Sequence, residues 1–85
     1  MARAKANYHM TGPELKQLLQ EKKITPPTYV RHRREKYILQ YRFKVHAARR
    51  IARIIKDLNK AGFPLRQVKQ IWVIWPDFSY WEIEI

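Results

Sequence analysis

Residues 37–62, YILQYRFKVHAARRIARIIKDLNKAG, carry two apolar periods in succession, and the change from one to the other decides the fold. Tyr37, Leu39, Tyr41, Phe43 and Val45 first alternate with Ile38, Gln40, Arg42 and Lys44. A period of two marks a strand with one buried face and one wetter face. From Ala48 the spacing becomes three and four. Ala48, Ile51, Ile54, Ile55 and Leu58 fall on one side, with Arg49, Arg53, Lys56 and Lys60 on the other. This predicts an amphipathic helix over 47–61, its apolar stripe sharing a core with the strand and its opposite face showing cations to water. Gly62 suits the backbone that follows a last helical turn, and Pro64 bars continuation.

Further along, residues 67–75 (QVKQIWVIW) predict a second strand. Val68, Gln70, Trp72 and Ile74 share one of its faces, and Lys69, Ile71, Val73 and Trp75 the other. Apolar groups on both faces suit a central strand. Pro76-Asp77 turns the chain, and residues 78–85 (FSYWEIEI) return as a third strand. Trp81, Ile83 and Ile85 then oppose Tyr80, Glu82 and Glu84 across the pleat.

Before the central stretch, Thr11 and Glu14 have the spacing of a capping box, with Pro13 tolerated in the first turn. Leu15, Leu18 and Leu19 line one face of the helix that follows, to about Lys22. Residues 26–36 read two ways. Pro26-Pro27 makes an extended link, or Thr25 caps a short second helix that turns Arg31, His32, Arg33, Arg34 and Lys36 outward. On the Leu15/Leu18 pair, the turn at 21–25 and the polar start after it, residues 12–30 resemble the opening of repressor-type helix-turn-helix domains. No separate recognition helix follows, because Tyr37 already opens a strand. Residues 1–10 read as a mobile basic arm. The prediction for 11–85 is a single α+β domain: helix, short helix or link, strand, helix, strand, strand. A strand–helix–strand crossover places its two strands parallel, giving a three-stranded mixed sheet with the basic helix packed on one face and the N-terminal helix over an end or the second face.

Charge narrows the function. Eighteen Lys and Arg against seven Asp and Glu give +11. The excess is uneven: residues 1–65 hold sixteen basic and four acidic residues, while 66–85 hold two and three. The basic part calls for a polyanion. Arg31, Arg33, Arg34 and Lys36 cluster, and Arg49, Arg53, Lys56 and Lys60 form a helix row. These eight are the candidate phosphate contacts, since each phosphate neutralised releases condensed counterions. Arg42 and Lys44 point away from the helix, so the cations are expected on several sides of the domain. Tyr80, with Tyr29 or Tyr37, is the candidate for stacking on unpaired bases. Glu82 and Glu84 flank Tyr80 and oppose phosphate there, while Trp72 and Trp81 are expected in the core.

The expectation is a non-enzymatic nucleic-acid-binding protein, duplex DNA slightly ahead of RNA, of the kind that serves a phage or mobile element as an accessory or regulator. Two alternatives stand beside it. One is a protein-interaction module or inhibitor that docks a partner, or a second copy, through the hairpin edge at residues 70–85 and meets an acidic partner surface with its basic face. The other is a ribonucleoprotein or ribosome-associated component. Enzyme chemistry has little support. His9, His32 and His46 lack metal-site spacing, two glycines do not build a phosphate loop, and no nucleophile–base arrangement stands out. No cofactor or metal is expected, and the lack of cysteine excludes disulfides and cysteine-bound zinc. No apolar run reaches the roughly twenty residues of a membrane span, and residues 1–10 lack a secretion signal, so a cytoplasmic location is expected.

Overall fold

The computed structural model describes residues 10–34, 36–62 and 65–85. At its centre β2 (Lys36–Arg42) and β3 (Val68–Ile74) run parallel, as the crossover requires. Helix α2 (Ala48–Ala61) connects them, followed by a single 3-10 turn at Leu65–Gln67. β4 (Tyr80–Glu84) returns antiparallel to β3.

The sheet has four strands, in the order β1-β2-β3-β4, one more than predicted. The addition is β1 (Tyr29–Arg33), which replaces both the link and the short helix considered for residues 26–36. It pairs antiparallel with β2 from Tyr29↔Gln40 to Arg33↔Lys36. Thr28, Tyr29 and Val30 favour extended backbone, and the Thr28 N–H bonds the Gln40 carbonyl at 2.9 Å. The alternation is hard to see because β1 is an edge strand armoured with cations, and Val30 is its one half-buried residue. The likeness to a helix-turn-helix ends here, since a strand stands where the second helix would begin.

Both helices cover the same side of this sheet, so the N-terminal helix does not take the second face considered for it: its leucines join the same apolar cluster as the crossover helix. Helix α1 (Gly12–Glu21) contributes Leu15 and Leu19, and α2 contributes Ile51, Ile54 and Leu58. They share one cluster with Tyr37, Leu39, Tyr41, Phe43, Ile71, Val73 and Trp75 from the sheet. Val68 joins them because the register slips between Tyr37↔Val68 and Ile38↔Gln70, a bulge that simple alternation does not anticipate. Val45 lies past the end of β2, 60% exposed, and does not continue its buried face.

Helix ends follow local chemistry. At α1 the capping box forms: the Thr11 N–H donates to Glu14 Oε1 at 2.8 Å, and the Glu14 N–H donates to Thr11 Oγ1 at 3.3 Å. These bonds hold the Glu14 carboxyl below its ordinary pKa. Helix α2 begins less favourably, with Ala47 supplying no cap and no acid in the first turn. Gly62 has φ +73°, a backbone that side chains resist, and an added Cβ would meet nothing within 4 Å. Residues 1–9 of the predicted arm, and Phe63 and Pro64, lie outside the described residues. Met10 is half-buried, and its carbonyl accepts from the Tyr37 hydroxyl at 3.2 Å. Among the described residues no helix is long and apolar enough to cross a membrane.

Candidate nucleic-acid interface

Because both helices take one side, the other face of the sheet is open. Strand register maps it. One row across the four strands reads Tyr29, Gln40, Trp72, Glu82, and the next Arg31, Ile38, Gln70, Glu84. Arg33 and Lys36 face each other at the β1–β2 end, and Arg42, Ile74 and Tyr80 form a third row at the opposite end. All the cations named here are exposed. Ile38 is 2% exposed although it lies on this face, and Arg33, Arg34, Lys36 and Lys69 line the recess around it.

The face therefore grades from basic to acidic. Arg33, Arg34, Lys36 and Lys69 ring a recess of about 510 Å³ with Ile38 among its walls. None of Arg31, Arg33, Arg34 and Lys36 forms an ion pair with a described residue. Arg34 adopts φ +55° where the chain leaves β1. Across the middle, Arg31 Nε donates to Gln40 Oε1 at 3.2 Å. Its guanidinium lies 5.0 Å from the Trp72 ring centre and 5.5 Å from that of Tyr29, within cation–π range. Trp72 is held in turn: its indole N–H donates to Gln70 Oε1 at 2.8 Å, and the Gln70 amide donates to Glu84. Tyr80 meets Trp72 edge-on at 6.0 Å. Burial, chiefly, raises the Tyr80 pKa. Glu82 and Glu84 close the β4 side.

The eight predicted phosphate contacts thus divide between two sides. Arg31, Arg33, Arg34 and Lys36 gather at the open face and its hairpin, with Arg42 further along the same face. Arg49, Arg53, Lys56 and Lys60 lie on the solvent side of α2, beyond the core. That row gains Lys22 and Lys23 from the end of α1, which line a recess with Arg53, Asp57 and Lys60. Asp57 sits inside the row and meets Arg53 at 3.9 Å, so its field is partly cancelled. Lys69 was missed by sequence reasoning. Its neighbours Val68 and Gln70 give no hint of the bulge that sets it beside Ile38.

The aromatic expectations change as well. Tyr29 and Tyr80 are 54% and 44% exposed on the open face, but Tyr37 is fully buried among the helices and is unavailable to a base. Trp72, expected in the core, is half-buried on the open face, because α1 and α2 both take the other side. Trp81 is 41% exposed, since β4 is an edge strand that the helices do not fully cover, and its ring rests edge-on against buried Trp75 at 5.0 Å.

Among the described residues, no group of three His, Cys, Asp or Glu side chains is placed to hold a metal ion. No family model matches the chain, and neither does any curated protein or solved structure.

Proposed function

We propose that this protein binds nucleic acid through the open face of its sheet, as a non-enzymatic accessory or regulatory protein. One observation carries the reading: Arg31, Arg33, Arg34, Lys36 and Lys69 converge on one face, unneutralised by described carboxylates, and Arg31 joins them to the Tyr29 and Trp72 rings. A solvated basic surface made only for solubility has no need of rings among its cations. Arginine predominates, which suits bidentate phosphate contacts. Charge alone ranks duplex DNA first, as the densest line of phosphates. The α2 row would be reached by a ligand that wraps the domain or by a second segment.

The test is binding to duplex DNA, single-stranded DNA and structured RNA across a salt series with competitor present. Four neutralised phosphates predict a log–log slope of about −3 on single strands or about −4 on a duplex. Weak, equal, salt-insensitive binding to all three would remove the reading.

A second reading has its own observation. Phe78, at the β3–β4 turn, is 80% exposed and adopts φ +67°, with its N–H bonded to the Trp75 carbonyl at 2.9 Å. An apolar ring held outward in a strained backbone suits a protein partner or a second copy at residues 70–85. Phe78→Ser should then abolish that association and leave nucleic-acid affinity intact.

A further inference from the structure

We infer that the open face takes an unpaired strand, with one base against Trp72 and an adjoining phosphate in the basic recess beside Ile38. This rests on the nucleic-acid reading above and specifies its ligand. Two recesses adjoin on the face and share Arg33 and Ile38. The larger, about 510 Å³, adds Arg34, Lys36 and Lys69; the smaller, about 130 Å³, adds Arg31, His32 and Trp72. One is built for a phosphate and the other ends on an aromatic ring, side by side as phosphate and base are in a nucleotide.

Trp72 is prepared for stacking. Its N–H is already used on Gln70, and Gln70 is braced by Glu84, so the indole plane is set before any ligand arrives. The Arg31 guanidinium occupies the stacking position over the ring, with Gln40 as its hydrogen-bonding partner. An arriving strand offers it a phosphate, and the base takes its place on the indole. Base–aromatic stacking tolerates any base, since each has a π face.

The acidic side decides between paired and unpaired ligands. Glu82 stands in register with Trp72, and Glu84 with Gln70. A duplex keeps its base faces stacked on one another and carries a second phosphate backbone, which would cross these carboxylates. A single strand runs its one backbone along the β1–β2 side and turns its bases toward β4. There carboxylates accept from base amino groups instead of repelling phosphate.

The experiment uses the full chain and a mixed-sequence DNA oligonucleotide without self-pairing, alone and annealed to its complement. An RNA strand of the same sequence, run alongside, distinguishes the backbones. The single strand should bind more tightly than the duplex and quench tryptophan fluorescence. Trp72→Leu should weaken strand binding roughly 5- to 150-fold, the loss of one base stack, with little effect on the duplex. Trp72→Phe keeps a ring in the same packing, so it should retain affinity while losing the quench, and it serves if the leucine variant folds poorly. Tighter duplex binding without a quench, or a full quench persisting in Trp72→Phe, would overturn the inference and leave the basic-face reading standing. No binding of either form at low salt would overturn both.

Discussion

Arg34 holds a positive φ that arginine disfavours, at the rim of the basic recess beside Ile38. A left-handed backbone costs an L-residue roughly 1–2 kcal/mol that glycine does not incur. Arg34→Gly should therefore raise thermal stability while weakening nucleic-acid binding, a trade measurable by thermal unfolding and a binding titration on the same sample. A variant that loses stability would show that the arginine side chain contributes to the fold. Tyr41 makes a separate prediction. It is 2% exposed, its hydroxyl donates to the Thr25 carbonyl at 2.5 Å, and burial pushes its pKa well above the ordinary 10.0. Burial raises the Tyr37 pKa too. A raised folded pKa means the stabilising contribution is complete below about pH 10 and is lost as pH climbs toward the folded value. Alkaline unfolding should then coincide with tyrosine ionisation followed by absorbance. Tyr41→Phe should cost about 1 kcal/mol at neutral pH, the worth of one hydrogen bond.

Helix α2 shows how much of the architecture was legible. Of its predicted apolar stripe Ile51, Ile54 and Leu58 are buried and Ile55 is half-buried, while Ala48 at the uncapped start is exposed, and the break at Gly62 falls where the sequence puts it. Gly62→Ala would place a side chain at φ +73° with open space around it. The expected cost is strain alone, about 1–3 kcal/mol, seen as a lower denaturant midpoint with an unchanged slope. The start of α2 is the weak end: Arg49 and Arg50 sit at the positive pole of the helix dipole without a cap or an acid. Strand β1 was the element that escaped sequence reading. Its period of two is Tyr29, Arg31 and Arg33 outward against Val30 and His32, and only Val30 is apolar on the inner side, so the apolar signal is a single residue. The site was half legible for the same reason. The Arg31–Lys36 cluster is plain in the sequence, but which cations share a face depends on β1 being a strand and on both helices choosing one side.

The whole molecule is a two-sided object: helices and a partly neutralised basic row on one side, a graded basic, aromatic and acidic sheet on the other. The second side is the one proposed to bind nucleic acid, and two double charge reversals with matched change in net charge test this. Arg31→Glu with Arg33→Glu alters the open face, and Arg53→Glu with Lys56→Glu alters the helix row. Each is titrated with a single strand across a salt series after thermal unfolding confirms the fold. The open-face pair should abolish measurable binding at physiological salt and flatten the salt slope by about 1.4, two phosphates' worth. The helix pair should weaken binding only modestly through the general field and leave the slope nearly unchanged. The contrary result, loss of binding from the helix pair with the open-face pair still bound at full slope, would place the interface on α2 and contradict the account.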